Sequence, residues 1–182
     1  MCFEALLPTS HLSFPYICSM NYFELFDLPM GPSVDKSLLA KKYFELQKAS
    51  HPDFHTQSNE AEKDEALEKS AAINKAFNIF QDKEKTIEYF LQEKGLAETD
   101  EKYSLPPDFL MEMMEINEEL AETGHEHVTR RVKAFEEELY KDIGPIIDNY
   151  GKAATGEKEL LKLKEYYYKK KYLNRILDRL GD

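Results

Sequence analysis

Lys36-Ser37-Leu38-Leu39-Ala40-Lys41-Lys42-Tyr43-Phe44-Glu45-Leu46-Gln47-Lys48-Ala49-Ser50-His51-Pro52-Asp53 is the stretch on which the fold of this 182-residue chain turns. Leu39, Tyr43 and Leu46 recur at i, i+4 and i+7 with Lys41, Lys42 and Lys48 at other positions, which predicts an amphipathic helix over 36–50. Pro52 ends it: the ring locks φ, supplies no N–H and biases His51 away from the α region. Ile73, Ala76, Phe77 and Phe80 then repeat the helical spacing, predicting a second helix from a cap at Asn59 to about Gln81. His51-Pro52-Asp53 is thereby placed in a rigid loop between two antiparallel helices.

The rest of the chain also reads as helical. Asp82 is a cap for a helix over Lys83 to Lys94, which Gly95 stops, with Ile87, Phe90 and Leu91 facing inward against the hairpin. The stretch 97–108, with Pro106 and Pro107, is a polar break and the expected domain boundary. Three more helices follow: Pro107 to about Glu122, ended near Gly124; about His125 to Tyr150, kinked or divided at Gly144-Pro145; and Glu157 to Leu180, between Gly156 and Gly181. A three-helix bundle buries their apolar stripes most economically, so the expected fold class is all-α. There is no alternating β-branched run, no Asn-Gly or Asp-Gly hairpin and no Gly-rich phosphate loop, and nucleotide binding by this chain is not expected.

Asn21-Tyr22-Phe23-Glu24-Leu25-Phe26-Asp27-Leu28-Pro29, with Asn21 and Glu24 spaced as a capping box, resembles the opening helix of a J-domain. His51-Pro52-Asp53 and Asn74-Lys75-Ala76-Phe77 are similar to its loop and third helix. Phe109-Leu110-Met111-Glu112 begins a run resembling the C-terminal domain of one J-protein family, the HscB co-chaperones of iron–sulfur cluster assembly. The resemblance extends over nearly all of Met20 to Asp182. It implies an extension at 1–19, a J-domain at 20–96, a linker at 97–106 and a scaffold-binding three-helix bundle at 107–182.

The implied function is to stimulate the ATPase of a DnaK/HscA-type chaperone and to deliver to it an IscU-type iron–sulfur scaffold protein. The alternative is a J-domain adaptor for a different client. His51, Pro52, Asp53, Lys41, Lys42 and Lys48 are the expected chaperone contacts. The lysine face would be drawn to an acidic surface, giving orientation and on-rate that weaken with salt. Positions matching the family's scaffold site are Leu110, Met111, Met114, Glu115, Glu118 and Glu122. On a helix, 111, 114/115, 118 and 122 share a face with Leu110 at its edge, so apolar and acidic groups adjoin.

Net charge of −11 argues against a general nucleic-acid binder. Its sign is uneven: 36–48 carries Lys36, Lys41, Lys42 and Lys48 against Glu45, whereas 108–122 holds six acids and no base. Two faces for two partners is the simplest reading. No apolar run approaches the ~20 residues that span a bilayer, and a soluble, cytoplasmic monomer is expected. Both cysteines, Cys2 and Cys18, precede Met20, which excludes a disulfide framework or cysteine-ligated metal from the body. Residues 1–19 lack the basic start of a secretory signal and the arginines of a presequence, so an upstream or artificial translation start is expected.

Other constellations are weaker. His51, Asp53 and His55 form a His-x-Asp-x-His string, but no further ligand converges on it, and no metal or other cofactor is expected. His55 also stands where J-domains commonly carry a lysine. His125 and His127 read as a solvated helix start. No nucleophile elbow or cysteine site is present in the body, so the chain is not expected to be an enzyme. Tyr166, Tyr167, Tyr168 and Tyr172, interleaved with Lys169 to Lys171, read as bundle core with solvated lysines. Tyr167 is the aromatic on this helix considered for the scaffold site.

Overall fold

A computed structural model of the chain describes residues 21–50, 60–98, 101–152 and 155–181, with side chains described for all of these but 60–63, 121–123 and 180–181. The extension 1–19, the loop His51-Pro52-Asp53 with His55, the cap Asn59 and the side chain of Glu122 therefore lie outside the described residues. Seven helices appear among the described residues: α1 (Tyr22–Leu25), α2 (Lys36–Ser50), α3 (Glu60–Gln81), α4 (Lys83–Glu93), α5 (Pro107–Thr123), α6 (His125–Asn149) and α7 (Glu157–Gly181). The all-α class and the expected helices are thus observed. Residues group into two compact units, one within 1–29 and 35–78 and the other within 30–34 and 79–182.

In the first unit, Asn21 accepts the Glu24 N–H at 2.9 Å, as its spacing predicts. The Leu28 N–H donates to the Phe23 carbonyl at 2.9 Å where Asp27 turns at φ 49°, and Phe23, Phe26 and Leu28 are buried around that turn. Asp35 caps α2, its carboxylate accepting from the N–H groups of Ser37 at 2.7 Å and Leu38 at 3.0 Å. Leu39 is fully buried, and Tyr43 stacks on Phe77 with ring centroids 4.0 Å apart. Asn74 Oδ1 accepts from the Tyr43 hydroxyl at 2.9 Å and from Gln47 Nε2 at 2.8 Å, while the Ser70 hydroxyl donates to Gln47 at 3.4 Å. Later residues of α2 meet earlier residues of α3, which makes the pair an antiparallel hairpin.

The second unit begins at the end of α3. Asp82 caps α4, accepting from Glu84 at 2.8 Å and Lys85 at 3.1 Å. Gly95 closes α4 at φ 66°: the N–H of Leu96 returns to the Leu91 carbonyl at 2.9 Å and that of Gly95 to Gln92 at 2.9 Å. Phe109, Met113 and Ile116 of α5, Val128 and Val132 of α6, and Leu173 and Ile176 of α7 form one buried cluster, flanked by Phe135, Leu139 and Tyr172. Burying each such aliphatic side chain is worth about 1.5–3 kcal/mol, so this cluster is what holds the three helices together.

Several details refine or differ from expectation. Pro145 lies inside α6 without dividing it. Gly144 is buried, and a Cβ there would stand 3.3 Å from the Tyr140 ring, a tight contact. Helix α4, read from sequence with 20–96, belongs to the second unit: Phe90 meets Tyr150 edge-on at 4.9 Å and Tyr167 of α7 donates to Glu88. Lys170, expected to be solvated, is 8% exposed because α4 and α6 close over it, Glu84 standing at 3.3 Å and Glu136 accepting a hydrogen bond. The segment expected as linker is moored to α7, with Glu101 accepting from Lys164 at 2.6 Å and Tyr168 at 2.8 Å, and Tyr103 stacked on Tyr168 at 4.5 Å.

Candidate functional site: the outer face of helix α5

Pro107 opens α5 in the first helical turn, where a missing N–H costs nothing, and Asp108 complements the positive end of the dipole. Phe109, Met113, Ile116 and Leu120 recur at i, i+4, i+7 and i+11, and this stripe faces the bundle. Once these positions are committed to the core, their neighbours must point outward. Leu110 is 39% exposed, Met111 60% and Met114 62%, which sets three large apolar side chains in water on one side of a well-packed helix. Such a cluster is retained where a partner covers it.

Acids adjoin this face. Glu115 and Glu118 are exposed. Across the α5–α6 contact, the Arg131 guanidinium donates to Glu112 at 2.7 Å, to Glu115 at 3.3 Å and to Glu119. These bonds, the one to Glu112 foremost, hold Arg131 above its ordinary pKa although partial burial opposes its charge. Arg131 escaped the sequence reading. Its signal is positional: it precedes the core residue Val132 and follows Val128 by three, at the edge of the buried stripe of α6. His125 and His127 are exposed, with His127 Nδ1 4.0 Å from Glu119.

The lysines of α2, in the other unit, do not form a uniform set. Lys41 and Lys48 are exposed, whereas Lys42 turns back to Asp27 at 2.7 Å. That bond raises the Lys42 pKa and lowers that of Asp27. Phe44, 76% exposed, shares the outward side of α2 with Lys41 and Lys48, and the apolar-stripe reading passed over it. Tyr167 is buried under α4, bonded to Glu88, and so is withdrawn from solvent. Tyr166 and Tyr168 are buried as the bundle-core reading expected. Among the described residues no group of three or more His, Cys, Asp or Glu could hold a metal ion, and no helix is long and apolar enough to cross a membrane.

Residues 105–181 match a family model described as the HSCB C-terminal oligomerisation domain. A co-chaperone protein HscB homolog of Vibrio vulnificus is 42% identical over 107 residues, which is 58% of this chain and 63% of that protein, so the chain spans less than two thirds of its length. Another, from Shewanella pealeana, is 37% identical over 147 residues covering 80% of each chain. The crystal structure of human co-chaperone protein HscB superposes with a TM-score of 0.72 at 28% identity, covering 90% of this chain and 81% of that one.

Proposed function

Because the chain belongs to the HscB co-chaperone family, we propose that it serves iron–sulfur cluster assembly by stimulating the ATPase of a DnaK/HscA-type chaperone and delivering to it an IscU-type scaffold protein. The scaffold seats on Leu110, Met111 and Met114, bordered by Glu115, Glu118 and Glu122. The chaperone is met by Lys41, Lys48 and the loop His51-Pro52-Asp53, with Lys42 contributing through its fixed position beside Asp27. No bond in a substrate is made or broken by this chain: its part is allosteric, a contact that favours the partner's hydrolysing state.

One observation carries the reading: Met111 and Met114 are about three-fifths exposed on a helix whose opposite side is closed core. Polarisable, flexible side chains suit a surface that must conform to another protein. Titration calorimetry of Leu110→Ala/Met111→Ala/Met114→Ala against the scaffold tests it. Loss of three apolar anchors is expected to weaken binding by roughly tenfold to several hundredfold, while direct stimulation of the chaperone is kept. His51→Gln in the same assays is expected to do the reverse. Unchanged scaffold affinity in a folded triple variant would refute the docking face.

The matched family model is described as an oligomerisation domain, so a second reading is that the same face meets another copy of this chain. Sedimentation of parent and triple variant separates the two, because only self-association would make the parent's mass depend on its own concentration.

A further inference from the structure

We infer that Met111 and Met114 form a reversible oxidation site, at which a peroxide converts both thioethers to sulfoxides and thereby weakens docking. The inference rests on the docking face proposed above. Helix α5 carries three of the six methionines of the chain, and it treats them differently. Met113 is 1% exposed within the buried cluster, whereas Met111 and Met114 are 60% and 62% exposed. Oxidant reaches sulfur through solvent, so the outer two react while the inner one is shielded. Three positions apart on a helix, the outer two are separated by about 4.5 Å along the axis and about 60° around it. A single partner surface therefore covers both sulfurs. Their neighbours Leu110, Glu115 and Glu118 offer a peroxide nothing to oxidise.

In the reaction a sulfur lone pair attacks one peroxide oxygen and the O–O bond breaks. The displaced oxygen leaves as water, taking the proton of the oxygen that is transferred. Sulfur loses two electrons and the peroxide gains them. The product side chain is polar and chiral, with a strong S–O dipole. In the free protein water solvates that dipole, so the inner stripe of α5 and the bundle core are untouched. Under a partner the dipole must shed its water, and an apolar patch that fits a thioether gives it no donor in return. The modification thus acts on association and spares the fold. Thiol-dependent methionine sulfoxide reductases reverse it, the oxygen leaving as water while two thiols become a disulfide.

Fragment mass spectrometry of the full chain after graded hydrogen peroxide tests the site, with a thiol added afterwards to reverse cysteine oxidation. Met111 and Met114 are expected to gain one oxygen each well before Met113. Oxidation of Met113 as fast as the outer pair overturns the inference. Calorimetry then sets the treated chain, freed of peroxide, beside its untreated sample, each against untreated IscU-type scaffold. The doubly oxidised parent is expected to bind roughly fivefold to a hundredfold more weakly, and reductase treatment to restore it, with direct stimulation of the chaperone kept. Met111→Leu/Met114→Leu removes both sulfurs, so peroxide is expected to leave that variant's affinity where it was, whatever that affinity is. A loss in this variant equal to the parent's overturns the inference. If the triple alanine variant of Leu110, Met111 and Met114 binds like the parent, the docking face falls and the inference with it. If that variant binds weakly but the doubly oxidised parent binds like its untreated sample, only the inference falls.

Discussion

At Lys42 the side chain serves two ends, and a charge reversal separates them. Lys41→Glu and Lys48→Glu place acids on an open surface, where charge changes move stability little. They are expected to leave the thermal midpoint unchanged while weakening chaperone docking and reducing its salt dependence. Lys42→Glu instead sets a carboxylate against Asp27, where the parent has an ion pair at 2.7 Å. Its midpoint should fall below that of the other two, as parallel melts and ATPase titrations would show. That all three lysines lie off the apolar stripe is legible in the sequence. That Asp27 reaches only one of them is not, because it depends on the left-handed turn at Asp27 closing α1. Arg131 is illegible for the same kind of reason: its partners lie 12 to 19 residues away on another helix, and helical periodicity reports which side of its own helix a residue takes, not what faces it.

Helix α5 is the element in which sequence and structure agree most closely, since the positions Phe109, Met113 and Ile116 must be inside and Leu110, Met111 and Met114 are left outside. In α6, which the sequence reads as kinked or divided at Gly144-Pro145, the helix runs undivided past Pro145, the hydrogen bond lost there being offset by the packing of Ile143 and Ile147 on either side of it, both buried. Helix α7 carries a testable pH dependence. Burial foremost, then the nearby Glu136, pushes the Tyr166 hydroxyl up to about 12, and burial with hydrogen bonds to Glu88 and Glu101 moves Tyr167 and Tyr168 upward as well. A raised folded pKa means the neutral phenol's contribution is fully present below its ordinary value of 10.0 and is lost as pH rises through the folded value. The melting midpoint should therefore hold to about pH 10 and fall between 10 and 12, with Tyr167→Phe and Tyr168→Phe each making the fall shallower. Of the eleven tyrosines, the share seen as phenolate by absorbance recorded alongside should stay incomplete until the protein unfolds.

For the whole molecule, the polar stretch at 97–106 marks a plausible cut in the sequence, whereas the contacts change hands at 78–79. A fragment starting at residue 107 would uncover Tyr167 and Tyr168, strip both of their carboxylate partners Glu88 and Glu101, and remove Glu84 from Lys170, leaving Glu136 as its acid. The fragment 79–182 is accordingly expected to melt well above the fragment 107–182, by calorimetry under the same conditions. None of this was visible in the local pattern, because the acids of α4 and the lysine of α7 read separately as ordinary surface charge. The clasp of Glu84 and Glu136 about Lys170 also bears on how such proteins can be recombined. A chimera that takes its loop-bearing hairpin from one relative and its bundle from another should be joined ahead of Asp82, so that each bundle inherits the short helix whose acids match its own buried lysine; a splice at the proline-rich stretch would pair a borrowed helix with a lysine it did not evolve beside.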